Sequence, residues 1–309
     1  MVDQQRETQQ KQTVLVTGST GFLGSHLVKR LVQEGYQVII LKRSFSNTWR
    51  IDDVLSKLIC YDIDKCDLDQ PFQDFEKIDA IVHTATNYGR KEEGVSKIFE
   101  SNTVFPLRLL EIADLFNRQL TFFNTDTVLD KFLNNYSLSK KQFLEWGKHF
   151  ANQGGIRFVN ILLEHMIGPA DDESKFTTYV IKSCLENVKE LNLTAGEQQR
   201  DFVYIDDVVS AYLVLLEGVN KQSNSYQEYG LGSGQAVSIR SFVETVHQLS
   251  HSQTILKFGA IPYRKGEVMH SEANITSLQG LGWFPKYSLQ DALRQTIVWY
   301  SQKQIVEVR

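Results

Sequence analysis

The feature that most constrains this chain is Gly18-Ser19-Thr20-Gly21-Phe22-Leu23-Gly24, three glycines at spacing GxxGxxG. It stands between Thr13–Thr17, a short apolar β-rich run, and Phe22–Gln33, where Phe22, Leu23, Leu27, Leu31 and Val32 recur at helical spacing. Gly35 follows as the helix stop. A strand that turns on glycine straight into a helix leaves the first helical amides unpaired, and those amides attract an anion. Gly18 permits the tight turn, Gly21 lets the backbone approach a pyrophosphate, and Gly24 lets the helix lie close on the sheet.

Further strands are expected at 38–41, 57–61, Ala80–His83, 120–123 and 156–163, with helices at 104–116 and 137–150. Strand and helix in alternation predict an α/β fold with a doubly wound parallel sheet of Rossmann type. The second half is less regular, with helices expected at 179–188, 208–216, 238–249 and 289–301, and a Gly-rich turn at 230–234. No repeat and no Pro/Gly linker divides the halves. The expected organisation is a leader at 1–12, a dinucleotide-binding domain at 13–168 and a smaller substrate domain at 169–309, partly interleaved with the first.

With 309 residues, 42% of them hydrophobic, there is apolar content for one large core or two modest ones. A net charge of −4 gives no global cationic field for nucleic acid or an acidic membrane. Apolar stretches such as Leu213–Leu216 are far too short to span a bilayer. Residues 1–12 are polar and Gln-rich, unlike a signal peptide, and are expected to be disordered. Cys60, Cys66 and Cys184 are odd in number and irregularly spaced, which excludes a disulfide framework and a zinc ribbon. Free thiols in a reducing cytoplasm are expected.

The second strand runs into Lys42 and Arg43, where an acidic residue would hold the ribose 2′-hydroxyl of NAD. Two cations attract a 2′-phosphate that a carboxylate would repel, so NADPH is the expected cofactor. The alternative is that both are solvated surface cations. Asp62-Ile63 follows the third strand, where Asp62 is placed to accept from the adenine amine, although Asp62, Asp64, Asp67 and Asp69 equally suit a solvated loop.

Tyr136 and Lys140 lie at i,i+4 spacing, on one helix face. A phenol is too weak an acid near neutrality, and a nearby ammonium lowers its pKa toward proton transfer. The strand before it ends in Asn124-Thr125-Asp126-Thr127, which places a hydroxyl where it can hydrogen-bond a reacting carbonyl.

These pieces, in this order, resemble the extended short-chain dehydrogenase/reductases that modify nucleotide sugars. The resemblance runs from about Thr13 to the last helix. It is carried by Thr17–Gly24, Asp62-Ile63, His83-Thr84-Ala85-Thr86, Asn102, Thr125, Tyr136 with Lys140, Gly168-Pro169, Arg200–Asp207 and Leu281-Gly282-Trp283. It implies Thr125, Tyr136 and Lys140 as the catalytic residues, with Lys140 also on the nicotinamide ribose. Gly18, Thr20, Gly21, Phe22, Leu23 and Gly24 would cradle the cofactor. Thr84, Ala85 and Thr86 would lie along it, and Asn102 would support Lys140 through backbone or water.

Position 127 bears on the reaction. Similar 4,6-dehydratases carry Glu there as the base, and similar epimerase-reductases carry Cys; Thr127 replaces both. Similar 4-epimerases do carry Thr, but they hold NAD tightly and have an acidic residue where Lys42 stands. Thr86–Arg90, Phe99–Leu110 and Asn124–Lys140 resemble the 4-ketoreductases of deoxysugar pathways. The expected activity is therefore NADPH-dependent reduction of the C4 keto group of a CDP- or dTDP-linked 4-keto-6-deoxyhexose, as in O-antigen synthesis. The alternative is an NAD-dependent nucleotide-sugar 4-epimerase. A non-catalytic binding module on the same fold would tolerate loss of Tyr136 or Lys140, and both are present.

On the substrate side, Tyr88, Asp126 and Thr127 are candidates for sugar contacts. His165 replaces an Asn that often contacts the diphosphate. Arg200 and Arg264 are candidates to grip it, since a guanidinium binds a diphosphate bidentately. Arg200 could instead pair with Asp201 or Asp206. Phe176 and Lys175 are placed near the base. Asp206 and Asp207 read as helix-start cap and dipole partners, not as a metal site. A homodimer through helices 104–116 and 137–150 is expected by analogy with similar enzymes.

Overall fold

The computed structural model describes residues 12–90, 93–116, 119–218 and 224–307. Residues 1–11 of the expected leader lie outside them. Seven strands form the large sheet: β1 (Thr13–Thr17), β2 (Gln37–Lys42), β3 (Ile59–Asp62), β4 (Ala80–His83), β5 (Thr121–Thr127), β6 (Arg157–Leu163) and β10 (Tyr226–Leu231). Their order is β10-β6-β5-β4-β1-β2-β3, and every pairing is parallel. The order reverses between β1 and β4, so the crevice at their carboxyl ends is the ligand position of such a sheet.

Both faces of the sheet are covered, which is why its strands read as continuous apolar runs. Val14, Val16, Ile40 and Phe123 enter one core, under α1 (Phe22–Gln33) and α7 (Ile205–Gly218). Leu15, Ile39, Leu41 and Phe122 enter the other, together with Phe72 of the short α2 (Gln70–Asp74), under α4 (Phe105–Phe116) and α5 (Asn135–Asn152). β10 comes from the second half of the chain and forms the edge beside β6. The rest of that half builds a three-stranded sheet of β11 (Ala236–Ser238), β9 (Gln199–Tyr204) and β7 (His165–Ile167), and a pair of β12 (Ile255–Phe258) with β8 (Glu190–Leu193). It also supplies α6 (Phe176–Leu185), α8 (Ile239–Leu249), α9 (Thr276–Gln279) and α10 (Leu289–Glu307).

Two helices differ from expectation in ways that matter for the site. The helix expected at 104–116 starts earlier: α3 (Val95–Phe99) runs into a π-helical turn at Glu100–Val104 and then into α4. Pro106 cannot donate to the carbonyl of Asn102 and crowds it, so the ladder widens there. The helix expected at 137–150 begins at Asn135, because Asn134 and Ser137 form a reciprocal capping box. That cap sets Tyr136 in the first turn of α5. Among the described residues, no helix is long and apolar enough to cross a membrane.

Candidate active site

The glycine run forms a closed main-chain cradle. Gly18 has φ +71°, and a Cβ there would stand 2.5 Å from the amide nitrogen of Ala85. A Cβ on Gly24 would stand 2.2 Å from the carbonyl oxygen of Gly18. Gly21 N–H donates to that same oxygen at 2.9 Å. Phe22 and Leu23 are buried under the loop. Thr84 Oγ1 donates to Thr17 O at 2.7 Å, which holds Thr84 and Ala85 against the cradle. Arg50 donates to the carbonyls of Thr20 (3.4 Å) and Ala170 (2.9 Å), so this loop is also braced from outside.

The charges expected at the adenosine end are paired differently. Lys42 Nζ is bound to Asp62 Oδ1. The two are register partners on β2 and β3, so the ammonium and the carboxylate face each other. Neither is the unencumbered group expected. Arg43 is exposed, with its guanidinium 5.0 Å from the centre of the Phe45 ring. Asp64 accepts from Ser44 N (2.7 Å) and Ser44 Oγ (2.6 Å), and these bonds hold its pKa below the ordinary carboxylate value. Ile63 N–H donates to Lys42 O at 2.9 Å.

At the end of β5, successive side chains take opposite faces. Thr125 and Thr127 share one; Asn124 and Asp126 share the other. Tyr136 is half-buried, with the Thr127 and Thr86 hydroxyls beside its phenol partly offsetting the effect of burial on its pKa. Thr125 Oγ1 lies 2.6 Å from the Tyr212 hydroxyl. Asp126 is buried on the other face. It accepts from Lys141 Nζ at 2.8 Å and from Asn160 Nδ2 at 3.2 Å, which removes it from the sugar contacts expected.

Lys140 is fully buried, and its Nζ reaches Asn124 Oδ1 at 3.5 Å. Burial brings its pKa down to about 8; Asp126 opposes this and Lys141 adds to it. Burial pushes the Tyr136 phenol well above its ordinary value, and Tyr88 adds to that shift. The lowering expected from the Tyr136–Lys140 spacing is therefore overridden by desolvation. Among the described residues, no direct hydrogen bond joins Asn102 to Lys140. From the π turn Asn102 bonds Ser139 Oγ (3.0 Å) and both backbone groups of Asn87 (2.7 and 2.8 Å), tying α5 to the 86–90 loop.

That loop lays Tyr88 over Tyr136, ring centres 5.0 Å apart. Arg90 covers Tyr88 at 4.5 Å and donates to Ser174 Oγ at 3.0 Å, bridging to the second half of the chain. His165 is half-buried, its Nδ1 3.3 Å from Glu164 and its ring edge-on to Phe202. Phe176 is exposed at the first turn of α6. Lys175 is held by Asp171 at 2.8 Å. Arg200 donates to Glu267 at 2.6 Å, not to Asp201 or Asp206. Exposed Arg264 stands on the same turn, where its carbonyl accepts from Glu267 N–H at 3.1 Å. Asp207 accepts from the amides of Lys286 and Tyr287, and among the described residues no cluster of three metal-ligating side chains exists.

A family model for the NAD dependent epimerase/dehydratase family matches residues 14–232. The chain belongs to that family. It is an extended short-chain dehydrogenase/reductase, an enzyme of oxidoreductase type that works with a nicotinamide dinucleotide. A CDP-abequose synthase of Salmonella muenchen is 34% identical over 292 residues, covering 92% of this chain and 96% of that one. A UDP-glucose 4-epimerase from Thermotoga maritima, solved with UDP-glucose, superposes with a TM-score of 0.81 at 22% identity, over 94% of this chain and 99% of that one. A UDP-glucuronic acid 4-epimerase from Bacillus cereus, solved with UDP-glucuronic acid and NAD, gives 0.80 at 23% identity, over 94% and 99%. These two likenesses establish the fold.

The residues of this family member fit a dinucleotide. Ser19 Oγ is buried within the cradle with no hydrogen-bond partner among the described residues, and the Gly18 and Gly24 contacts leave no room for a side chain. Arg50, Lys141 and Tyr212 were not anticipated from sequence. Lys141 carries a signal, since a second lysine beside Lys140 in a buried helix turn needs a counter-charge. Tyr212 carries none, because an aromatic at helical spacing with Val208 and Leu215 reads as core.

Proposed function

We propose that this enzyme reduces the C4 keto group of a nucleotide-linked 4-keto-6-deoxyhexose with NADPH, as a step in deoxysugar synthesis for a surface polysaccharide. The observation that carries this reading is the chemistry of the strand end facing Tyr136. Thr125 and Thr127 offer hydroxyls, while the one carboxylate on that strand end is buried against Lys141. Hydride addition to a ketone needs one proton donor and hydrogen bonds to the carbonyl; ring elimination needs a further base. The 34% identity to CDP-abequose synthase over nearly the whole chain supports the same class.

The reduced dinucleotide supplies the hydride when bound. The cradle amides and Ser19 would hold its pyrophosphate, Arg43 would bind the 2′-phosphate with Lys42 once that lysine leaves Asp62, and Lys140 would orient the nicotinamide ribose. Tyr136 gives its proton to the oxygen forming at C4. Its raised pKa suits this, because a donor must be protonated at neutral pH and an alkoxide is a stronger base than a phenolate. Thr125 and Thr127 hydrogen-bond the sugar, Tyr88 covers it, and His165, Arg200 and Arg264 hold the diphosphate, with Phe176 at the base. A second copy would pack on α4 and α5, which expose Leu115 and Trp146.

Loss of NADPH absorbance with freshly made CDP- and dTDP-4-keto-6-deoxyglucose tests the reading, and turnover with either is expected. The epimerase alternative keeps one supporting observation: Asp62 neutralises Lys42 and weakens the case for a 2′-phosphate. Under that alternative the purified protein releases NAD on denaturation and turns over neither ketone.

A further inference from the structure

Thr125 has a hydrogen-bond partner that comes from the core of the other layer. Tyr212 reaches it from α7; its ring is fully buried in the core shared with α1, and its hydroxyl lies 2.6 Å from Thr125 Oγ1. Thr125 is the hydrogen-bond partner that the described residues give this phenol. Either oxygen could donate by distance alone, but burial separates the two cases. A phenol proton with no acceptor in an apolar core carries the full desolvation penalty. Thr125 is only half-buried, so its own proton has somewhere else to go. Burial also raises the Tyr212 pKa, which keeps its proton in place.

We propose that Tyr212 is a positioning residue: its hydroxyl donates to Thr125 Oγ1 and leaves the threonine proton directed at the sugar oxygen on the reacting carbon. The identity of that oxygen rests on the function proposed above; the bond and its direction do not. A donor that itself accepts a hydrogen bond is polarised by it, so the pair acts on the reacting oxygen more strongly than Thr125 alone. The phenol also locks the threonine rotamer, which removes reorganisation when charge develops.

The test is a double-mutant cycle of Tyr212→Phe and Thr125→Val, read in turnover and in thermal stability. Tyr212→Phe is expected to lower kcat about tenfold, equivalent to ~1.4 kcal/mol, with KM for the nucleotide sugar within about twofold. Thr125→Val should cost at least as much, and the double variant no more than Thr125→Val. In stability the asymmetry reports direction. Thr125→Val strands the phenol proton and should lower Tm by roughly 2–6 °C, and adding Tyr212→Phe should recover most of that. An unchanged kcat in Tyr212→Phe, or losses that simply add, overturns the positioning role. A Thr125→Val loss that Tyr212→Phe does not relieve overturns the donation itself, whatever the reaction. A wild-type enzyme inactive on 4-keto sugars overturns the proposed function instead, and the stability cycle still decides the bond.

Discussion

The cofactor cradle and the substrate side of the cleft are built from different materials. The cradle is main chain: Gly18, Gly21 and Gly24 pack against carbonyls and amides, and its shape does not depend on rotamers. The side proposed for the substrate is made of polar side chains already bonded to one another, Arg200 with Glu267, Glu164 with His165, Lys175 with Asp171. A main-chain site suits a cofactor that every family member binds. A site of exchangeable pairs suits a substrate that differs between members, since each pair can trade partners when a diphosphate arrives.

Substitutions in each half should break differently. The largest effect is expected from Gly24→Ala, whose Cβ would meet backbone and not a yielding side chain. It should abolish dinucleotide binding, measured by NADPH fluorescence titration, or prevent folding. Tyr136→Phe should leave that binding intact and lower kcat by about 10²–10⁴, the usual contribution of a positioned proton donor. Retained turnover would remove Tyr136 from the chemistry.

Lys140 gives a smaller effect with a definite sign. Its folded pKa, about 8, lies below the ordinary lysine value of 10.5, so the folded state resists protonation. The unfolded chain binds more protons between those two values, so stability rises with pH across that window and the penalty is complete below it. Lys140→Met should therefore stabilise the protein at pH 7 by ~1–3 kcal/mol in urea unfolding, while lowering activity. No gain would mean that Lys140 is better solvated than its burial indicates. The smallest expected effect is at the adenosine end. Asp62→Asn releases Lys42, and the NADPH/NADH ratio of kcat/KM should rise about threefold to tenfold. A fall would show that Asp62 orients Lys42 toward the phosphate instead.

The sequence made the cradle legible because its glycine spacing is a main-chain requirement confined to seven neighbouring residues. Tyr136 and Lys140 were legible for a similar reason, four positions on one capped helix. Pairings across the sheet were not. Lys42 and Asp62 are twenty residues apart and meet only because β2 and β3 pair in that register. Asp126 looked like a sugar contact until the pleat of β5 turned it toward Lys141. β9 carries a motif without a strand's alternation, and Tyr226–Leu231, β10, mixes polar and glycine residues at a sheet edge, so neither strand stands out in the sequence. The π turn at Glu100–Val104 follows from Pro106, a single residue whose signal is masked by the helical pattern around it.

The most direct measurement of the central claim is the fate of hydrogen at C4. NADPH deuterated at the transferable position is incubated with the 4-keto sugar nucleotide, and the product is examined by NMR. The account predicts one deuterium at C4 for each NADPH oxidised, with the configuration there read from the same spectrum. A sugar without deuterium, beside NADPH that remains unoxidised, would contradict it.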